Sequence, residues 1–239
     1  MELEIVDIND IDISNMLLHF TFNDNLKSIY ENGLLPMVGR NAFGLEVSAK
    51  IFFAKGDDGS AQILNNWIKW LIYKKQRYFY YKDAKTDEDY IRITEEFHRA
   101  LLDGRLFNNS EENEEAFEYF YWFLTNSSHL LLNLEEGKDY LKDDNDEIKL
   151  RNLKNPKYIE VMYGKLTSLK GMEKWNMHTK EGIIIDSSKI KILSVDGKSD
   201  SLSVAQKLYE LNKDNTNMDL TLLSEFFEYL NKKDKSHKR

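Results

Sequence analysis

The chain has 239 residues, with 33 Lys and Arg against 41 Asp and Glu, a formal charge of −8, 41% hydrophobic residues, two prolines and no cysteine. That length predicts one large domain over 1–231, with room for a sizeable core, followed by a basic tail over 232–239. The missing cysteine excludes a disulfide framework, thiolate-ligated zinc, iron–sulfur clusters and a cysteine nucleophile, and it fits a reducing, cytoplasmic setting.

With Lys232–Arg239 set aside, Met1–Asn231 carries −12, so bulk affinity for polyanions is not expected. No apolar run approaches the ~18–20 residues of a membrane-spanning helix, and the mean hydropathy is −0.58. The first residues lack the basic start and apolar core of an export signal. A soluble chain without a membrane partner is expected.

In chain order, Asn15–Phe22 is apolar and branched enough for a strand. Asn23 and Asp24 supply an N-cap for a helix over about Asn25–Glu31, which Asn32 and Gly33 stop. After a loop marked by Pro36, Gly39 and Gly44, Lys50–Ala54 reads as a short buried strand ended by Gly56 and Gly59. Ile63, Leu64, Trp67, Ile68 and Leu71 then predict a helix from Ser60 to about Lys75. Two further helices follow: Asp87–Leu102, with Tyr90, Ile93, Phe97 and Leu101 on one face, and Glu112–Leu124, with Ala116, Phe117, Phe120 and Phe123. His129–Leu134 reads as a strand and Asp143–Glu147 as a polar turn lacking the glycine and distal glutamate of a calcium loop. Gly182–Asp186 and Lys189–Leu193 predict two strands around a Ser-Ser turn, and helices over about Ser199–Leu211 and Leu220–Leu230 close the chain.

No histidine pair has the spacing that places two imidazoles on one metal, so no metal is expected. His98 lies within a helix and His237 in the tail. His19 sits inside an apolar strand, where a neutral ring must find partners either as a core histidine or as a ligand-binding one.

Three segments, LLHFTFNDNLKSIYENGLLP, SAKIFFAKGDDGSAQI and KEGIIIDSSKIKIL, occur in that order. Together they resemble the ADP-ribosyltransferase superfamily, in its branch typified by diphtheria toxin and poly(ADP-ribose) polymerase, whose signature is a histidine, a tyrosine and a glutamate. His19-Phe20-Thr21 looks like the family's His-small-Ser/Thr triplet, and Asn32-Gly33-Leu34 like the turn after its first helix. Ile51-Phe52-Phe53-Ala54 resembles the second segment, with Phe52 at the tyrosine position and Ser60 eight residues beyond it. Glu181 precedes the apolar GIIID run as the family's glutamate precedes a strand, with Glu173 and Glu160 as rivals.

The resemblance implies an α+β fold with a split, mainly antiparallel sheet, an NAD-binding cleft, a helical insertion over about Ser60–Leu124 and C-terminal helices. It implies NAD as substrate and a macromolecular acceptor, protein or nucleic acid. In this reading Glu181 is catalytic, bonding the ribose 2-hydroxyl; His19 bonds the adenosine ribose; the Phe20 backbone and Ser60 hydroxyl hold the carboxamide; Phe52 stacks on nicotinamide; and Thr21 supports the first strand. Trp175, Asn176 and His178 shape the acceptor loop, core packing being the alternative for Trp175. The ordinary alternatives are Ser60 as a helix cap, Phe52 as core and Glu181 as a turn carboxylate. Two other functions compete: an RNA 2′-phosphotransferase, disfavoured by the acidic body, and a non-catalytic interaction module.

Overall fold

The computed structural model describes residues 2–36, 49–107, 110–140 and 177–236. The polar turn at 143–147, the loop glycines Gly39 and Gly44, Glu160, Glu173, Trp175, Asn176 and His237 lie outside the described residues.

Six strands form one mixed sheet: β1 (Glu4–Asp7), β2 (Leu17–Phe22), β3 (Phe52–Lys55), β4 (Ser127–Leu132), β5 (Met177–His178) and β6 (Ile190–Ser194). Their hydrogen-bonded order is β1-β6-β4-β2-β3-β5. Every pairing is antiparallel except β1 with β6. The fold class is therefore α+β, as expected, with a single sheet among the described residues. The joint between β2 and β3 is narrow: Leu17 and Leu18 pair with Lys55 and Ala54, whereas the β2–β4 pairing runs the whole length of β2.

Among the described residues six helices accompany the sheet: α1 (Leu26–Asn32), α2 (Gly56–Tyr81), α3 (Asp87–Leu102), α4 (Ser110–Thr125), α5 (Ser201–Asn212) and α6 (Thr221–Ser236). No described helix is long and apolar enough to cross a membrane. Side chains alternate across a strand, so neighbours divide between the two faces. Leu18 and Leu193 join a core with Leu64, Ile68, Phe120, Leu208 and Phe226 from the helical layer. Leu17 and Ile192 join another with Ile29, Phe53, Leu130 and Ile185. Each such side chain, fully buried, contributes roughly 1.5–3 kcal/mol.

Several expected boundaries shift for identifiable reasons. Asn23 does not cap α1: its Oδ1 accepts from Ser128 Oγ at 2.8 Å, and the chain makes a 3₁₀ turn over Asn23–Asn25 before the helix starts. Gly33, at φ +76, ends α1 and lies so close to the Ile185 carbonyl that a Cβ would sit 2.5 Å from its oxygen. Gly56 opens α2 instead of ending β3 in a loop. It has φ +75, its N–H donates to Met16 O at 2.8 Å, and a Cβ there would meet Ser14 O at 2.4 Å. Helix α2 then runs past Lys75 to Tyr81, because its distal end is held by a small core of Tyr73, Phe97, Ala100 and Leu106 and by Tyr81 Oη donating to Thr94 Oγ1 at 2.9 Å.

The GIIID run is not a strand. Gly182 takes φ +73, Ile184 is exposed, and only Ile185 bridges to Leu34, after which Asp186 accepts from Ser188 N–H at 2.9 Å and turns the chain into a 3₁₀ helix. Strands β1 and β5, which the sequence pattern did not suggest, are short and lie at the two edges of the sheet.

A buried polar seam runs along α2. Gln62, Asn65, Asn66, Lys69 and Gln76 recur at helical spacing and are all buried. Asn65 Oδ1 accepts from Leu223 N–H at 3.0 Å, and Lys69 Nζ lies 2.5 Å from Asp219 Oδ2, so α2 supplies partners to the start of α6.

Candidate functional site

The sheet order places β2, β3 and β5 side by side, and the candidate residues start from there. His19 lies where β2 and β3 part. Its Nδ1–H donates to the Phe52 carbonyl at 2.7 Å, which leaves Nε2 as an acceptor in the neutral ring. Burial lowers the His19 pKa below the usual imidazole value, and the Phe52 carbonyl opposes that shift in part. The ring is neutral at physiological pH.

Phe20 packs among aromatic rings. Its ring meets Trp67 and Phe123 edge-on at 5.3 and 5.5 Å, and it lies near-parallel to His19 at 6.3 Å. Thr21 is buried, and its Oγ1 accepts from Asn25 Nδ2 at 3.1 Å, which ties the end of β2 to the turn that follows.

Phe52 is half-buried and sits edge-on to the His178 ring, centroids 5.7 Å apart, with the two residues in register across β3 and β5. His178 is buried. Its Nδ1–H donates to the Thr179 carbonyl at 2.8 Å, which fixes the tautomer, and Lys50 Nζ lies 3.4 Å from Nε2 and donates to it. Beyond β5 the chain continues beside residues 49–51: Thr179 N–H donates to Ile51 O at 3.0 Å and Gly182 N–H to Ala49 O at 3.1 Å. Glu181 stands in that turn, exposed. It follows His178 by three residues.

The fold thus brings His19, Phe52 and His178 together and carries Glu181 to the neighbouring turn. It does not bring Ser60 into an open position. Ser60 is 1% exposed, and its Oγ has no hydrogen-bond partner. Because α2 already starts at Gly56, Ser60 falls inside the helix, so it neither caps the helix nor faces a cleft.

His129, which the sequence pattern places only at the start of a strand, is strongly altered by its surroundings. It is buried, its Nδ1 is 2.9 Å from Ser201 Oγ at the start of α5, and its Nε2 has no partner. Burial, aided by the nearby His19, pushes its pKa down to about 3. Nothing in the string HLLLNL signals this, because the partner serine is 72 residues away. Among the described residues no group of three or more His, Asp or Glu could hold a metal ion. An open cleft of about 470 Å³, lined in part by Tyr209, Lys213, Met218 and Ser224, lies at the junction of α5 and α6, not at these residues.

Comparison with protein-family models, with curated proteins and with solved structures returns no match for this chain.

Proposed function

We propose that the chain is an NAD-dependent ADP-ribosyltransferase, which moves ADP-ribose from NAD to an acceptor and releases nicotinamide. The observation that carries this reading is the adjacency of β2, β3 and β5, through which His19 bonds the Phe52 backbone and Glu181 lies on the turn along the other edge of β3. It rests also on the resemblance of the three segments and on the α+β architecture, although the sheet is single where the resemblance implies a split one.

In this reading the N-glycosidic bond to nicotinamide breaks with positive charge building on the ribose C1, and a carboxylate beside the ribose stabilises that charge. Glu181 is that carboxylate. Neutral His19 offers Nε2 as acceptor to a ribose hydroxyl, and Phe52 presents an aromatic ring to nicotinamide. Ser60, being sealed, has no part in it.

Phenylalanine at the tyrosine position, together with the buried Ser60, favours a second reading, a non-catalytic interaction module on the same fold. One assay separates the two: nicotinamide release from NAD by the full chain, with mass spectrometry of proteins and nucleic acids incubated with labelled NAD. Glu181→Gln is expected to lower the rate by ~10²–10³ while leaving melting unchanged, because an exposed turn residue makes no cavity. Parent protein that neither binds NAD nor releases nicotinamide refutes the transferase, and an unaltered rate in Glu181→Gln removes Glu181 from the reaction.

A further inference from the structure

We infer that the distal half of α2 is a binding strip for single-stranded nucleic acid. The inference goes beyond the transferase reading and holds independently of it.

Charge in this chain is unevenly spread. Lys69–Lys85 contains six Lys and Arg and one acid, Asp83, a local charge of +5 that leaves −13 on the rest of the molecule. Of these cations, Lys69 and Lys75 are tied to Asp219 and Glu115. Lys74, Arg77 and Lys82 are exposed and make no ion pair among the described residues. Residues three and four apart share a helix face, so Lys74, Tyr78 and Lys82 form one ridge with Arg77 and Phe79 beside it.

The aromatic residues on this ridge are presented to solvent, not buried. Tyr78 is 68% exposed and Phe79 44%, with centroids 5.9 Å apart, and Lys82 Nζ lies 5.0 Å from the Phe79 ring centre. Two exposed aromatic side chains flanked by three cations that make no ion pair among the described residues are what a single strand needs: rings on which bases stack whatever their sequence, and charges that track the phosphates. Tyr73, on the opposite side of the same helix segment, is buried against Phe97 of α3, which anchors the segment. Asp83, Asp87 and Glu88 bound the strip at its far end. The Lys74–Lys82 ridge is about 12 Å long at 1.5 Å per residue, which suits a few nucleotides. Its exposed rings favour unpaired bases over a duplex, whose bases are already stacked.

The test is fluorescence anisotropy of a labelled oligothymidylate of about 15 nucleotides with the full chain, in the absence of NAD, at about 50 and 200 mM salt. Neutralising three phosphates of a single strand gives a log–log salt slope of roughly −2, so affinity should fall about 20-fold between the two conditions. The triple variant Lys74→Ala, Arg77→Ala, Lys82→Ala should lose that salt dependence, and Tyr78→Ala should weaken binding about tenfold with the slope kept. All four side chains are exposed, and circular dichroism melting verifies that the variants fold. No binding at low salt, binding unaltered in both variants, or tighter binding to a duplex of equal length overturns the inference. Binding to phosphatidylserine vesicles without binding to the oligonucleotide also overturns it and assigns the strip to a lipid surface.

Discussion

Replacement of His129 by asparagine should flatten the acid limb of the stability curve. In the folded chain His129 is buried with a pKa near 3, against an ordinary value of 6.5, so the native state holds it neutral and the unfolded state protonates it first. The unfolded state then binds more protons, and stability rises with pH through this window. The contribution is fully present above pH 6.5, is lost progressively as pH falls, and stops changing below about 3. At about pH 4.5 the difference in proton binding works out to about 3 kcal/mol relative to about pH 8. That is a large part of the 5–15 kcal/mol typical of a domain. With a urea m-value near ~3 kcal/mol/M, it corresponds to a loss of about 1 M in the unfolding midpoint.

Asparagine can keep the Nδ1-side contact to Ser201 Oγ while removing the titration, and any fixed cost of the substitution cancels when each protein is compared with itself at two pH values. Carboxylates such as Asp7, Asp12 and Asp186, whose pKa values are lowered by hydrogen bonds, titrate in both proteins alike. The expected outcome is a midpoint loss, between about pH 8 and 4.5, smaller by about 1 M in His129→Asn than in the parent. Equal losses in the two proteins would refute the neutral, buried assignment, as would a His129 imidazole resonance that titrates above about pH 5.

Gly56→Ala should destabilise the fold by more than Gly104→Ala: both sites have positive φ, for which an L side chain costs ~1–2 kcal/mol, but only at Gly56 would the new Cβ meet a carbonyl, Ser14 O at 2.4 Å, whereas nothing lies within 4 Å at Gly104. Equal melting temperatures for the two variants would contradict the close approach of α2 to the Ser14–Met16 segment. Phe52→Tyr should leave NAD binding nearly unchanged, whereas Phe52→Ala should weaken it by ~1–3 kcal/mol and, because the ring is only half-buried against His178, should cost less stability than the ~3–5 kcal/mol of a full core truncation. An alanine variant that stays folded and binds NAD as the parent does would remove Phe52 from the pocket.

The parts of the fold legible in the sequence are those whose apolar spacing has one cause. Helix α3 falls on its expected span, and α4 buries the expected Ala116, Phe117, Phe120 and Phe123, since a single face meets a single core. GIIID misled because three consecutive isoleucines carry no alternation: one is buried, and the positive φ of Gly182 and the Asp186 turn decide the backbone. Strand β1 alternates too few residues to stand out, and β5 owes its existence to pairing with Phe52 and Phe53, a long-range fact. For the site, the segment order placed His19 near Phe52, but the burial of Ser60 depends on where α2 begins, and that is set by the Gly56–Met16 contact, not by any local pattern. The basic strip vanished in a net charge of −8 because charge adds over the chain while binding reads it locally.

Helix α2 connects these separate observations. At 26 residues it is about 39 Å long; Leu64 and Ile68 of its proximal half pack with Leu18 and Leu193 of the sheet, and Tyr73 of its distal half packs with Phe97 and Ala100 of α3. An all-apolar seam against α5 and α6 could slide by a turn at small cost, since one leucine contact resembles the next. The seam instead sets Asn65 against the Leu223 N–H, Gln62 against the Asp219 carbonyl and Lys69 against the Asp219 carboxylate. A one-turn shift would leave the buried Lys69 ammonium without its carboxylate, and an uncompensated buried charge costs several kcal/mol. The polar seam therefore fixes the register of α2, and with it both the depth at which Ser60 is sealed beside β3 and the direction in which Lys74, Tyr78 and Lys82 face solvent.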